Sequence, residues 1–329
     1  MNQRPPLLPL AAAIAALAAA LLLVACASDS GPAAAPISSP TPAGADQPVR
    51  VGVTLPLFAD FAREMGRDKV DVFSILPTGA DPHTYEATPS DLRRIAEADI
   101  MFVNSLEPGV EGSILDVIRN NKGGDATVIP FMANVVSPRA QELGDAGLTA
   151  ADAGDDPHLW LDPSLARAYA AVIAETFIAR DGPNAALYSD NLAEYGRRLS
   201  QLDEDVAAAL AEIPLEDRKL VTSHDAFAHL ARRYDLDLVG FVVPGPGQEP
   251  SSRDIADLTR AIEDEAVPAV FIEPQVGPQS RLLEQMAADA GVLVCTLYSD
   301  TFGDEVLTYV DMMRFNADEL LRCLGDADG

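Results

Sequence analysis

The chain has 329 residues, 48% of them hydrophobic, enough for one large or two ordinary domains with a sizeable buried core and too apolar for wholesale disorder. Its 51 acidic residues against 23 basic ones give a net charge of −28. That balance excludes a nucleic-acid partner, whose phosphates need Lys and Arg, and disfavours adsorption on anionic headgroups. It steers cations inward, although a solvated acidic surface alone needs no ligand to explain it.

Residues 1–25 read as a secretory leader outside the fold. Arg4 supplies a short positive start, and Leu7–Ala25 is an apolar run of 19 residues. Leu23-Val24-Ala25-Cys26 resembles a bacterial lipoprotein cleavage box, in which Cys26 becomes the lipidated first residue; an uncleaved membrane span is the alternative. Residues 26–47 are rich in Ala, Ser, Pro and Gly and read as a flexible tether. The product is expected outside the cytoplasm, anchored to the cell membrane by its lipid. Cys295 and Cys323 then remain as an even pair in an oxidising compartment. They are either a disulfide or two reduced, buried thiols.

From Val49 onward strands and helices alternate. Val49–Leu55 reads as a strand, Phe58–Met65 as a helix and Val70–Leu76 as a strand. Thr88-Pro89-Ser90-Asp91 is a helix start, with Thr88 as N-cap, proline at the first position and a carboxylate at the positive end of the dipole; that helix runs to about Ala98. Ile100–Asn104 and Val128–Pro130 read as strands, and Gln141–Asp156 as an acidic loop. Residues 164–180 and 184–211 are expected to be helical, the second spanning roughly 40 Å at 1.5 Å per residue. Alternation then resumes with strands at Lys219–Ser223, Leu236–Val243, Ala269–Ile272 and Val292–Tyr298. Helices are expected at Ala226–Arg233, Ile255–Glu265, Pro278–Ala290 and Tyr309–Leu324. This is an α/β pattern with mostly parallel sheets flanked by helices. It divides into an N-terminal lobe over 48–183, a linking helix over 184–211 and a C-terminal lobe over 212–329.

The chain has 4 histidines, and three lie in unusual settings. His83 follows a strand in Asp81-Pro82-His83-Thr84-Tyr85-Glu86. His158 precedes a helix in Asp156-Pro157-His158-Leu159-Trp160-Leu161-Asp162-Pro163. His224 sits at the carboxyl end of a strand in Thr222-Ser223-His224-Asp225. Ligands of open α/β sheets bind outside the carboxyl ends of the strands. Asp300 leaves a strand at the same end, in Tyr298-Ser299-Asp300-Thr301. Three imidazoles and one carboxylate suit Zn²⁺, or Mn²⁺ with a more oxygen-like shell, and suit Mg²⁺ and Ca²⁺ poorly. Taken singly, a histidine in a loop is more often a hydrogen-bonded surface residue, and Asp-Pro is common turn chemistry. His229 reads as structural, five residues after His224 on the same expected helix but on another face. Glu273, at a strand end in Phe271-Ile272-Glu273-Pro274, either orients a ligand imidazole or is a plain strand-end charge.

Gly79–Glu86, Asp156–Pro163, Thr222–Phe227, Phe271–Gln275 and Tyr298–Asp300, in this order, resemble the metal-binding (cluster A-I) solute-binding proteins of ABC transporters, the zinc/manganese family that includes adhesin-like lipoproteins. The resemblance runs from about Val49 to Leu324. It implies two α/β lobes joined by one long rigid helix, and a metal held in the cleft by His83, His158, His224 and Asp300. It also implies delivery of the metal to a membrane permease by a monomeric, non-enzymatic carrier. Many zinc-dedicated members carry a His-rich loop before the second Asp-Pro-His; Gln141–Asp156 has no histidine. Histidine at 224, where many manganese-dedicated members have Glu, leans toward zinc over manganese or iron. A zinc hydrolase is the enzymatic rival, but the chain has no His-Glu-x-x-His pair. A surface adhesin is the other rival.

Overall fold

A computed structural model of the chain describes residues 47–104, 111–131, 135, 156–303 and 305–325. The expected leader, Cys26, nearly all of the tether and the acidic stretch up to residue 155 lie outside the described residues. Among the described residues no helix is long and apolar enough to cross a membrane.

Two four-stranded parallel sheets form the frame. The first runs β2-β1-β3-β4, built from β1 (Val49–Val53), β2 (Val70–Ser74), β3 (Ile100–Val103) and β4 (Thr127–Pro130). The second runs β6-β5-β7-β8, built from β5 (Lys219–His224), β6 (Asp237–Val243), β7 (Ala269–Ile272) and β8 (Leu293–Thr296). The two orders are the same pattern repeated. In each sheet the chain goes outward from the first strand, then crosses back to its other side. The crevice this leaves, between β1 and β3 and between β5 and β7, is where doubly wound sheets bind ligands. The central strands read as apolar runs because both faces are covered: all four residues of β3 are buried.

The helices that cover them start where their sequences say. Helix α1 (Pro56–Gly66) opens on a proline. Helix α2 (Pro89–Glu97) begins with a capping box between Thr88 and Asp91, as its sequence predicts. Helix α3 (Gly112–Asn121) is an addition to the sequence reading. Helix α4 (Pro163–Arg180) has Asp162 as N-cap, accepting from the Ser164 N–H at 2.8 Å. Helix α5 (Ala185–Leu210) is one continuous element of 26 residues. Helices α6 (Ala228–Tyr234), α7 (Ser252–Asp264), α8 (Gly277–Ala290) and α9 (Tyr309–Leu324) complete the second half. Strand β8 is shorter than the expected 292–298 segment, which leaves Tyr298-Ser299-Asp300 free to turn toward the site.

Helix α5 packs against α1 and α4 of the first half and against α9 of the second. The apolar core follows it across. Phe58 lies 5.6 Å from Trp160, and Phe61 5.0 Å from Tyr309, ring to ring. Tyr309 lies in the second half, yet its hydroxyl donates to Trp160 O at 2.7 Å and its backbone N–H to Asp60 Oδ2 at 2.9 Å. The two α/β lobes thus share one core cluster, with a smaller cluster around Val221, Leu258 and Leu283 beneath the second sheet. Cys295 of β8 and Cys323 of α9 are joined by a disulfide across 28 residues of sequence. Closing such a loop restrains the unfolded chain.

Candidate metal centre

Each of the three site histidines is carried by a local structure that its neighbours dictate. The His83 loop leaves β2 through Gly79, whose φ of 82° suits a residue without a Cβ. Asp81 folds the turn back on itself, accepting from the His83 N–H at 2.9 Å and the Thr84 hydroxyl at 2.6 Å. Tyr85 donates to Asp91 Oδ2 at 2.9 Å, so the cap of α2 also anchors this loop. Gly79 N–H donates to Thr301 Oγ1 at 2.8 Å, tying the loop to the segment after Asp300.

His158 ends a second Asp-Pro-His turn of the same design. Asp156 Oδ1 accepts from the His158 N–H at 3.0 Å and lies 2.8 Å from His158 Nδ1. The Asn104 amide, at the end of β3, donates to Pro157 O at 2.9 Å, and buried Glu111 holds the Asn104 N–H at 2.8 Å. Trp160 donates from its indole to Ser299 O at 2.8 Å. The bond joins the segment carrying His158 to the residue before Asp300.

His224 is the last residue of β5, and Glu273 follows β7, the neighbouring strand across the crevice of the second sheet. Glu273 Oε1 lies 2.9 Å from His224 Nδ1, and Glu273 Oε2 accepts from the Ser299 hydroxyl.

These elements converge. Asp300 Oδ2 lies 3.9 Å from His83 Nε2 and 3.6 Å from His224 Nε2; Asp300 Oδ1 lies 3.6 Å from His158 Nε2. The donor atoms all fall within 4.8 Å of one another. Three Nε2 atoms and both Asp300 oxygens are buried with no hydrogen-bond partner. Orphaned polar atoms inside a protein are costly, and five pointing at one spot form a group that could hold a cation. The tautomers agree. A carboxylate behind Nδ1 of His158 and of His224 engages that nitrogen and turns each Nε2 inward. In a tetrahedral zinc shell with bonds of about 2.0–2.1 Å the donor-to-donor edges are about 3.3–3.4 Å. The three separations from Asp300, at 3.6, 3.6 and 3.9 Å, are a few tenths longer.

Burial and mutual proximity dominate the electrostatics of these groups. Burial, reinforced by the neighbouring imidazoles of His224 and His158, drives His83 down to about 3. For His224 burial works the same way, but Glu273 and Asp300 outweigh it and raise the group to about 9. Burial lifts Asp300 above the usual carboxylate range, opposed by His158 and His224. His158, His224 and Asp300 are fully buried, while the His83 side chain keeps 14% exposure. The His83 loop is therefore the side from which the centre is reached.

His229 departs from its expected place. His224 ends a strand, so the two do not share a helix, and the buried His229 ring reaches back toward the centre. Its Nε2 lies 3.2 Å from Asp156 Oδ2 and 3.3 Å from Asp156 O. Nothing in the local sequence marks this contact, because its partner is 73 residues away.

Residues 51–323 match the family model of the zinc-uptake complex component A, periplasmic (ZnuA). The metal ABC transporter substrate-binding lipoprotein FimA of Streptococcus parasanguinis is 29% identical over 84% of this chain and 89% of its own length. The manganese-binding lipoprotein MntA of Halalkalibacterium halodurans is 29% identical over 82% and 86%. Among solved structures, the periplasmic zinc binding protein TroA from Treponema pallidum superposes with a TM-score of 0.74 at 25% identity, covering 84% of this chain and 99% of that one. Sequence and architecture agree over the same span, and the chain belongs to the ZnuA family.

Proposed function

We propose that this protein is an extracytoplasmic solute-binding protein that captures one divalent transition-metal ion per chain and hands it to the permease of an ABC transporter. The ligands are His83, His158 and His224 through Nε2, together with Asp300. The observation that carries the reading is the set of five buried, unpartnered donor atoms aimed at one another. Proteins named as metal ABC transporter substrate-binding lipoproteins, at 28–29% identity over most of the chain, support the transport role. A shell closed by four protein side chains holds a cation without leaving a position for an activated water. That is what a carrier needs, and it argues against hydrolysis.

Zinc is the favoured cargo. Three imidazoles and one carboxylate match Zn²⁺ better than Mn²⁺. Manganese is the competitor, because Asp300 turns an oxygen toward both sides of the site and so has two to offer. Glu273 orients His224 through Nδ1, and lipid on Cys26 holds the monomeric carrier at the membrane. Elemental analysis of the purified chain after equilibration with equal Zn²⁺ and Mn²⁺ tests the cargo. One zinc per chain is expected; a manganese-loaded chain would reverse the metal assignment, and no retained metal would remove the function.

A further inference from the structure

We propose that His229 is a positioning residue for this centre: acting through Asp156, it fixes the imidazole of His158 in the orientation that presents Nε2 to the metal. The inference rests on the metal-carrier reading above and adds to it a residue that touches neither the metal nor its ligands.

The argument begins with Asp156. One of its oxygens is committed to His158, 2.8 Å from Nδ1 and 3.0 Å from the backbone nitrogen. The other lies 3.2 Å from His229 Nε2, which makes its hydrogen bond to the Asp156 backbone O at 3.3 Å. One carboxylate thus stands between two imidazoles, and its plane cannot rotate without breaking one contact or the other. His229 is buried with 3% exposure, on α6 of the second half. Asp156 and His158 belong to the segment before α4. The bond therefore crosses between the halves, and its origin is only five residues beyond the ligand His224. A single short stretch of chain, 224–229, supplies one ligand and steadies another from the opposite half.

Two further features separate this from plain packing. His229 Nδ1 is buried without a partner, so the ring is used by its Nε2 edge alone, the edge that faces Asp156. The arrangement also has a counterpart across the site. His224 leans on Glu273, and Glu273 is held by the Ser299 hydroxyl. His158 leans on Asp156, and Asp156 is held by His229. Both ligand imidazoles are thus backed by a carboxylate that is itself restrained by a donor from behind. Outer supports of this kind typically change metal affinity by about 10–100-fold when removed.

The test compares His229→Phe, which keeps ring volume and removes the donor, with His229→Gln, whose amide nitrogen reaches about where Nε2 stood. Zn²⁺ affinity is measured by chelator competition, and the thermal midpoint of each apo protein and the visible spectrum of its Co²⁺ form are recorded alongside. His229→Phe is expected to bind Zn²⁺ about 10–100-fold more weakly with an altered Co²⁺ spectrum. His229→Gln is expected to recover both, with apo midpoints close to wild type. Phe binding within twofold of wild type would overturn the proposal, as would equal losses in both variants. Should the Phe variant not fold, ¹⁵N shifts of the His158 ring in the apo Gln variant and wild type decide: a retained Nδ1–H signature in both is expected, and its absence from wild type overturns the proposal. Wild-type protein that takes up no metal would instead remove the carrier reading itself.

Discussion

Two carboxylates, Asp156 and Glu273, stand behind two of the imidazoles and leave their Nε2 atoms buried without a hydrogen-bond partner. The chemistry at this scale is a preformed set of buried donors aimed at one another. Replacing His83, His158 or His224 by Ala is expected to weaken metal binding by orders of magnitude in calorimetry on the apo protein, because each change removes a direct ligand. Near-wild-type affinity in two of the three would dissolve the site. A different buried group sets a pH response of the fold. Burial raises Asp60 to about 6, with Glu64 adding to the shift and the Tyr309 N–H, Arg198 and Arg63 opposing it. A carboxyl raised in the folded state contributes stability that is fully present below its ordinary 3.8 and is lost as pH rises through about 6. Asp60→Asn keeps an oxygen for the Tyr309 N–H and avoids the buried charge. It is expected to exceed wild type in stability at pH 8 by up to about 3 kcal/mol, an advantage that fades toward pH 4. A constant difference across that range, in denaturant melts, would mean Asp60 does not titrate there. The four clustered residues were legible in sequence because Asp-Pro-His turns and strand-end residues mark the carboxyl side of a sheet. The partners Asp156–His229 and Trp160–Ser299 were not, since long-range side-chain contacts leave no periodic trace.

Helices and strands were legible wherever a cap or an apolar run announced them. Thr88-Pro89-Ser90-Asp91 placed α2 to within a residue, and the expected Ala269–Ile272 and Tyr309–Leu324 agree with β7 and α9 end to end. Helix α3 escaped because its apolar face is short, Ile114, Leu115 and Ile118 with Val117 beside them, in a segment ending in two asparagines. Gly196 shows what an element-scale reading can and cannot say. It is the weak point of α5 by composition, yet the helix runs through it unbroken. A Cβ built there meets nothing within 4 Å, and it lines an open groove with Arg167 and Arg197. Gly196→Ala should therefore stabilise the protein by about 0.5–1 kcal/mol, through helix propensity and a less free unfolded chain. A lower midpoint of urea unfolding in the variant would show that the groove needs the space.

Across the whole molecule, one apolar core passes through both halves beside a continuous helix, and Trp160, Phe61 and Tyr309 interlock near the middle. Opening the halves by a wide hinge would expose these rings and break the Trp160–Ser299 and Asp60–Tyr309 bonds. Bending α5 would add lost backbone hydrogen bonds, since it contains no proline. Metal capture is therefore expected to move the loops that carry His83, His158 and Asp300, with only a small tilt of the halves. Small-angle scattering should give radii of gyration for apo and loaded protein that agree closely, and a change of several Å would contradict a stiff frame. The central claim is that this frame exists to hold one metal ion between its halves, and an anomalous difference map from crystals grown with Zn²⁺ tests it most directly. The account predicts a single strong peak about 2.0–2.2 Å from His83, His158 and His224 Nε2 and from Asp300. A peak elsewhere, or one bound to fewer than three of these residues with water filling the shell, would contradict it.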